Sequence, residues 1–206
     1  MAERHPVFAF FYPGFVWFSE RIGFGRRRHA LLADAYGKVV EIGVGTGANF
    51  HHYPPGVVVV GSDPEPGMIR RARKTARRAG ANYPLYRGIA EELPFEDESV
   101  DTVVSTLVLC SVPDQATALA ELRRVLRPGG KLLVLEHVRS DDPKLAARQD
   151  RKEPRQVRRA GGCHPNRDTL AAIVEAGFEV GSVGRFHLPG TKITSPGIQG
   201  IARKPS

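Results

Sequence analysis

The stretch Val39-Val40-Glu41-Ile42-Gly43-Val44-Gly45-Thr46-Gly47 decides how the rest of the chain is arranged. A short β-branched run with one acidic residue passes into three glycines at alternate positions. This pattern predicts a buried strand that breaks into a tight turn, with a helix beginning near Thr46. Glycine permits positive φ angles and lets a ligand lie against the backbone, and such turns form the ligand crevice of open α/β sheets. We therefore expect a small-molecule site here.

Further apolar runs alternate with amphipathic segments along the chain. We predict strands at residues 57–63, 83–87, 101–107, 131–137, 178–183 and 197–202, and helices at 64–78, 114–126 and 169–176. Strands and helices that alternate at this spacing form right-handed βαβ crossovers and a mostly parallel sheet. Together with the first strand, they predict an α/β fold with a single seven-stranded sheet and helices on both faces.

The length of 206 residues and the composition indicate one ordinary globular domain, since 41% of the residues are hydrophobic and 25% are charged. Two cysteines, Cys110 and Cys163, are too few for a disulfide framework. We expect reduced thiols and a cytoplasmic location. The spacing of His, Cys and acidic residues predicts no metal site.

The formal net charge of +8 raises the question of a polyanionic partner. Basic residues concentrate at 26–28, 70–78 and 144–159. No RNA-recognition signature or interleaved aromatic platform accompanies the last two clusters, so nucleic acid is not expected as a partner. A solvated basic face explains the charge, and peripheral contact with an anionic membrane is the alternative.

Residues 6–18 are the most aromatic part of the chain. This run is too short to span a bilayer and is interrupted by Pro13-Gly14. It is either a helical flap over the active site or an amphipathic segment on a membrane surface, with Arg26 to Arg28 meeting lipid phosphates. We divide the chain into a flap at 1–36 and a main domain at 37–206, in which residues 138–165 form an insert with a basic face.

Two classes of ligand compete for the glycine turn. Gly43-x-Gly45-x-x-Ala48 satisfies the dinucleotide pattern, and Asp63 lies 20 residues beyond Gly43, where a ribose-binding acid is expected. S-adenosylmethionine also has a ribose, but it carries an ammonium group and no phosphates. Glu41, directly before the turn, disfavours a diphosphate and favours an ammonium group or the polar network around it.

Four motifs in register carry a resemblance to a known family. They are Val40-Glu41-Ile42-Gly43-Val44-Gly45-Thr46-Gly47, Gly61-Ser62-Asp63-Pro64 with Met68, Ala90-Glu91-Glu92-Leu93-Pro94-Phe95 with Ser99-Val100-Asp101, and Leu126-Arg127-Pro128-Gly129-Gly130. Over about residues 38–137 the chain resembles class I S-adenosylmethionine-dependent methyltransferases of type 11, the ubiquinone/menaquinone-methyltransferase-like group. The resemblance implies a Rossmann-like class I methyltransferase fold with S-adenosyl-L-methionine as cofactor.

A narrower resemblance extends nearly to the end of the chain. It rests on Thr106-Leu107-Val108-Leu109-Cys110-Ser111-Val112, Leu135-Glu136-His137-Val138 and Gly162-Cys163-His164-Pro165-Asn166-Arg167-Asp168-Thr169. These segments look like the methyltransferase-like 7 group, which includes membrane-associated alkyl-thiol methyltransferases, and its bacterial relatives, often described as phospholipid methyltransferases. The resemblance implies methyl transfer to a small lipophilic acceptor or a phospholipid headgroup.

The resemblance also assigns residues to the cofactor. Gly43, Gly45, Gly47 and Asp63 would surround its methionine and ribose moieties. Pro64, Met68, Ala90 and Glu91 would border its adenine, and Thr106 would lie beneath its sulfonium. The chain departs from the family pattern at Ile89, where many relatives carry an acid, and at Gln156-Val157, where an aromatic residue is expected. The second departure concerns the acceptor pocket.

Methyl transfer from a sulfonium is an in-line displacement, which is accelerated by holding the nucleophile near the methyl carbon and excluding water. A general base is needed only when the acceptor must lose a proton. His137 is a candidate because it ends the fifth predicted strand, where such sheets place their chemistry, and Tyr12 because the flap could carry it over the site. Alternatively, His137 makes a structural hydrogen bond at the end of the strand, and Tyr12 has a packing role.

Three other functions stay open from the sequence. An NAD-dependent oxidoreductase fits the glycine pattern, but the Leu-Pro-Phe and Arg-Pro-Gly-Gly signatures count against it. A nucleic-acid-directed methyltransferase fits the charge, but the end of the fourth predicted strand lacks the Asn/Asp-Pro-Pro-Tyr type of loop that base-directed enzymes often use. A protein that binds the cofactor without catalysis is the third.

Overall fold

A computed structural model describes residues 23–187 and 192–206 of the chain. The described residues form one seven-stranded sheet. Its strands are β1 Lys38–Ile42, β2 Val58–Asp63, β3 Leu85–Arg87, β4 Val100–Thr106, β5 Leu126–His137, β6 Glu179–His187 and β7 Pro196–Arg203. The order of strands across the sheet is β3-β2-β1-β4-β5-β7-β6.

The first five strands pair in parallel, and β7 pairs antiparallel with both β5 and β6. Val40 of β1 lies opposite Val60 of β2 and Val103 of β4, at the centre of the sheet. Continuous apolar runs suit parallel strands because such strands are buried on both faces. The predicted seven-stranded, mostly parallel sheet is confirmed.

Helices cover both faces of the sheet, as expected. They are α1 Gly25–Leu32, α2 Pro66–Arg78, α3 Gln115–Val125, α4 Pro143–Arg159 and α5 Thr169–Glu175. On one face, residues of α3 and α5 such as Leu122 and Ile173 pack with Val103 in the largest apolar core. On the other face, Leu32 of α1 packs with Val104.

The helix expected near Thr46 is not formed, so this prediction was wrong. Residues 45–52 instead make consecutive turns, with hydrogen bonds from Gly47 N to Val44 O (2.8 Å) and from Phe50 N to Gly47 O (3.2 Å). Gly47 has a φ of 81°, a left-handed conformation that a right-handed helix does not contain. The alternate glycines that open the turn therefore also prevent a helix.

The basic segment 138–165 is largely helical, because α4 occupies its centre. Gln149 anchors this helix to the segments that flank it in the chain: its fully buried amide accepts from Ser140 N (2.8 Å) and donates to the carbonyls of Val138 (3.1 Å) and Pro165 (2.8 Å). The buried amide holds one face of α4 down, which leaves the basic face exposed to solvent.

Only part of the predicted N-terminal flap lies within the described residues. Residues 6–18 and the candidate Tyr12 lie outside them, whereas α1, within the proposed 1–36 segment, packs directly on the sheet. Among the helices of 23–187 and 192–206, none combines the length and the apolar character that crossing a bilayer requires. The flap interpretation stays a prediction.

Candidate functional site

The glycine turn lies at the carboxyl edge of the sheet, where β1 ends. Gly43, Gly45 and Gly47 have φ angles of 57°, 55° and 81°, which L side chains rarely adopt. Val44 N donates to Ser62 O of β2 over 2.9 Å, so the turn is fixed to the neighbouring strand. The requirement for glycine at these positions is therefore conformational.

Two of these glycines also face other parts of the chain at very short range. A Cβ on Gly43 would lie 2.5 Å from the side chain of Val108, and one on Gly47 would lie 2.7 Å from the ring of Phe50. Both distances are too short for a real Cβ contact. At these two positions glycine is therefore required because the side chains of Val108 and Phe50 occupy the space of a Cβ. The room for a ligand that we predicted from the sequence is a separate requirement.

Asp63 ends β2 beside the turn and is 7% exposed. Its Oδ2 accepts from Gly45 N and its Oδ1 from Glu65 N, both over 2.9 Å. Burial raises the pKa of this carboxyl above its ordinary value, and the two backbone donors oppose that rise. Because each carboxylate oxygen accepts more than one hydrogen bond, Asp63 can still receive a pair of ligand hydroxyls.

Glu41 lies beneath the turn and is 1% exposed. Its carboxylate accepts from Asn49 Nδ2 (2.9 Å) and from the Tyr53 hydroxyl (2.7 Å). Burial raises its pKa from 4.5 to about 7, against the hydrogen bond from Tyr53 and the charge of Arg28. The structure therefore places Glu41 within a polar network under the turn, and its expected role toward an ammonium group stays a prediction.

Arg28 completes this network from α1. Its guanidinium donates to Asn49 Oδ1 (2.7 Å) and to Thr106 Oγ1 (2.8 Å), and Asn49 Nδ2 also donates to Thr106 Oγ1 (3.0 Å). Arg28 is 4% exposed, so the alternative in which Arg26 to Arg28 meet lipid phosphates is wrong for this residue. Thr106 ends β4, and its expected place beneath the sulfonium stays a prediction.

The sequence had not indicated Arg28, Asn49 or Tyr53 as members of the site. The arginine belongs to a run that is typical of a solvated surface, and the other two stand in a segment that we treated as helix and loop. Only Asn49, six residues after Gly43, gave a usable signal, because a polar residue so close to the turn must lie near it.

The remaining cofactor candidates lie along the same edge of the sheet. Pro64 follows β2, Met68 is in the first turn of α2, and Ala90 and Glu91 stand between β3 and β4. Met68 and Ala90 are buried, and the Glu91 carboxylate accepts from Asp114 N (3.2 Å). Parallel strands bring these segments to one edge, where they could line one side of a ligand.

The loop after β4 is held by a buried acid that we had not singled out. Glu136 of β5 is fully buried and accepts from Ser105 Oγ (2.6 Å) and from the N–H groups of Val108 (3.0 Å) and Leu109 (3.1 Å). Leu107 opens this loop with a φ of 62°, a strained conformation for a residue with a side chain. The carboxylate therefore fixes a loop that borders the glycine turn.

His137 ends β5 and lies beside two buried thiols. Its Nδ1 is 3.7 Å from Cys163 Sγ, and the ligand atoms of His137, Cys163 and Cys110 all lie within 4.8 Å of one another. Contact with Cys163 and burial raise the pKa of the Cys110 thiol well above its ordinary value. The sequence spacing had not indicated this cluster, because its members are 26 or more residues apart.

Comparison with known proteins agrees with this geometry. A family described as "Methyltransferase domain" matches residues 40–134. The thiol S-methyltransferase TMT1B of Rattus norvegicus is 39% identical over 144 residues, which cover 68% of this chain and 59% of the relative. TMT1A of Homo sapiens is 35% identical over 171 residues, which cover 81% of this chain and 70% of the relative.

A bacterial relative and a solved structure extend the comparison. The phosphatidylethanolamine N-methyltransferase of Cereibacter sphaeroides is 38% identical over 125 residues, which cover 59% of this chain and 62% of the relative. The chain thus spans about three fifths of the length of this protein and of the rat relative. A SAM-dependent methyltransferase of Methanosarcina mazei shares the fold, with a TM-score of 0.66, 24% identity, and coverage of 82% of this chain and 92% of that one.

Proposed function

The chain belongs to the class I S-adenosylmethionine-dependent methyltransferases, and we propose that it transfers a methyl group from S-adenosylmethionine to a small lipophilic acceptor or a phospholipid headgroup. The observation that carries the proposal is the position of Asp63, whose buried carboxylate is fixed to the backbone of the glycine turn. A carboxylate held in this way accepts ribose hydroxyls without having to be ordered first.

The residues around the turn fit this cofactor better than a dinucleotide. Two buried carboxyl groups, Glu41 and Asp63, lie at the turn. Asp63 and the fraction of Glu41 that is ionised near its pKa of about 7 place negative charge there, which opposes a diphosphate and favours a ligand with an ammonium group. When bound, S-adenosylmethionine supplies a methyl group on a sulfonium, while Asp63 would hold the ribose and Thr106, fixed by Arg28, would border the sulfur.

The chemistry of the acceptor is proposed from the relatives. Those named above act, by their names, on thiols and on phosphatidylethanolamine. Phosphatidylethanolamine supports the phospholipid headgroup that we propose, and the thiols support a small acceptor, which we propose to be lipophilic. His137 is the described residue that we place on the acceptor side, and Tyr12 stays a second candidate for that side.

Calorimetric titration with S-adenosylhomocysteine and, separately, with NADH tests the cofactor. We expect micromolar binding of S-adenosylhomocysteine alone. Asp63→Ala should weaken that binding on the order of a hundredfold, because hydrogen bonds to a charged group are lost. Glu65→Ala is the matched control, since the Glu65 backbone N–H, and not its side chain, contacts Asp63. Binding of NADH, or unchanged affinity in Asp63→Ala, would contradict the proposal.

Methyl transfer itself is tested with radiolabelled S-adenosylmethionine and a panel of acceptors. Alkanethiols of increasing chain length and phosphatidylethanolamine in mixed micelles cover the two acceptor classes. We expect label in one of these acceptors and none in a hydrophilic thiol such as cysteine or in tRNA. Efficient labelling of tRNA, with a steep loss on added salt, would indicate the nucleic-acid-directed alternative instead.

We also propose a cytoplasmic protein that contacts an anionic membrane at its periphery. Both cysteines are free thiols, which suits a reducing compartment. Helix α4 exposes Arg151, Lys152 and Arg155 on one stretch of surface, a charge pattern that anionic headgroups attract. Fractionation of cells that make the protein should find it in the cytoplasm, in part with the inner membrane surface.

Sedimentation with vesicles of phosphatidylglycerol and phosphatidylcholine tests the membrane contact. We expect salt-sensitive binding to the anionic vesicles and a loss of binding in the double variant Arg151→Glu, Arg155→Glu. The double variant Lys74→Glu, Arg77→Glu on exposed positions of α2 makes the same change of charge and should retain most binding. An equal loss in both variants would indicate attraction by net charge and no particular surface.

A further inference from the structure

Three ligands for a soft metal ion meet at the carboxyl edge of the sheet. They are the thiols of Cys110 and Cys163 and the imidazole of His137, whose ligand atoms all lie within 4.8 Å of one another. Both thiols are free and buried, and His137 is half-buried. We propose that these three side chains bind a zinc ion whose fourth position is open to an acceptor thiol.

The distances suit tetrahedral zinc. With Zn–S bonds of about 2.3 Å and Zn–N bonds of about 2.0–2.1 Å, sulfur and nitrogen ligands are separated by about 3.6 Å. Cys163 Sγ and His137 Nδ1 are 3.7 Å apart. This pair already has the separation that tetrahedral zinc requires, and Cys110 Sγ, within 4.8 Å of both partners, must move by at most about 1 Å to join them. Two thiolates and one imidazole select zinc over magnesium or calcium, and three protein ligands leave one position for an exchangeable ligand.

The backbone that carries the ligands is fixed from both sides. Cys110 N donates to the buried Glu136 carboxylate (3.2 Å), and Cys110 O accepts from His164 N (2.8 Å). The Arg167 guanidinium donates to the carbonyls of Leu109 (2.9 Å) and Val112 (2.7 Å), on either side of Cys110. These contacts join the loop after β4 to the segment with Cys163, so the ligands are positioned before a metal binds.

The role of the open position rests on the proposed function. Val108, two residues before Cys110, packs on Gly43, so one of the three ligands lies on a loop that touches the proposed cofactor turn. A thiol that coordinates zinc is deprotonated. As the S–Zn bond forms, the thiol proton leaves to solvent and the sulfur keeps the electron pair that methylation requires. His137 then acts as a metal ligand and not as a free base.

Metal binding by the full chain tests the site independently of activity. Protein purified in a reductant without thiols is titrated with Zn²⁺ and, in parallel, with Co²⁺. We expect one ion per chain and, with Co²⁺, strong thiolate-to-metal charge-transfer absorption together with the visible bands of tetrahedral cobalt. Cys110→Ser, Cys163→Ser and His137→Ala should each weaken binding on the order of a hundredfold or more, since outer-shell changes alone cost ten- to hundredfold.

His187→Ala, at the exposed end of β6, is the control and should bind both metals normally. Binding of S-adenosylhomocysteine should persist in the cysteine variants, which shows that they fold and separates this test from the proposed function. Absence of metal binding by the wild-type chain with both thiols reduced would overturn the site. So would binding that survives both cysteine substitutions.

The open position has its own readout. Addition of a short alkanethiol to the Co²⁺ protein should increase the charge-transfer absorption, because a third thiolate joins the metal. An unchanged cobalt spectrum at saturating thiol would overturn the assignment of the fourth position.

Discussion

The Arg28 guanidinium donates a 2.8 Å hydrogen bond to the Thr106 hydroxyl oxygen and so ties α1 to the carboxyl end of β4. The same nitrogen lies 2.7 Å from Asn49 Oδ1, and Asn49 in turn donates to Glu41. The charge of Arg28 also lowers the pKa of Glu41, against the effect of burial. One buried cation therefore connects α1 to the turn on which the cofactor is proposed to lie.

Arg28→Met should destabilise the fold strongly. The substitution keeps an apolar stem but leaves the polar atoms of Asn49 and Thr106 without their cationic partner. Removal of one member of a buried charged network typically costs about 3–5 kcal/mol. Urea denaturation measures the change in the free energy of unfolding. Arg26→Met, on the exposed side of the same helix, should change it by less than about 0.5 kcal/mol, and equal effects would contradict the network.

Glu41 should make the stability of the ligand-free protein depend on pH. Its pKa is about 7 in the folded chain, chiefly because of burial, and 4.5 is the ordinary value that applies when the chain is unfolded. Between these values the folded state holds a proton that the unfolded state has lost. The free energy of unfolding should therefore fall as pH rises through this window, by about 3 kcal/mol, with no further change from Glu41 above it.

Urea denaturation at several pH values from about pH 4 to pH 8 measures this dependence. Glu41→Gln keeps the shape of the side chain but cannot ionise. In this variant the free energy of unfolding should no longer show the decline that Glu41 causes, while the contributions of other titrating groups stay the same. A curve of the same slope in the variant would assign the pH dependence to another group.

The sheet, and the edge at which its strand-end residues meet, could be predicted from the sequence because both depend on local pattern. Apolar runs set the strands, and parallel pairing then brings the residues at strand ends, Asp63, Thr106 and His137, to one edge of the sheet. No further information is needed for that placement. The helix near Thr46 was mispredicted because the same residues carry two local signals, one for the start of a helix and one for left-handed glycine conformations. The glycine conformations prevailed.

What the sequence did not reveal depends on contacts between distant segments. Arg28 belongs to a basic run, and only the packing of α1 against the sheet decides that its side chain turns inward. Cys110 and Cys163 stand 53 residues apart and meet through the fold of α4 and the loop after β4. Glu136 is one acid in an apolar strand, and nothing in its neighbours indicates that it holds a loop.

Gly43→Ala should be more harmful than Gly56→Ala, although both glycines have left-handed φ angles (57° and 87°). A Cβ on Gly56 meets no atom within 4 Å, so only backbone strain of about 1–2 kcal/mol applies. A Cβ on Gly43 would also displace Val108, and overpacking adds about 1–3 kcal/mol. Urea denaturation compares the two variants.

The displaced Val108 should also disturb the cofactor site. We expect weaker binding of S-adenosylhomocysteine in Gly43→Ala and unchanged binding in Gly56→Ala. Equal stability of the two variants would show that Val108 moves aside without cost and that the turn does not depend on this contact.

Glu136→Gln should loosen the loop after β4. The carboxylate accepts from the Ser105 hydroxyl and from the backbone N–H groups of residues 108–110. An amide turns one of these acceptor oxygens into an NH₂ donor that faces other donors, so we expect a loss of about 2–4 kcal/mol. Hydrogen exchange at residues 108–110 should become faster than in the wild type. Glu179→Gln, at the exposed start of β6, is the control and should leave both stability and exchange unchanged. Full protection of residues 108–110 in Glu136→Gln would mean that packing alone fixes the loop.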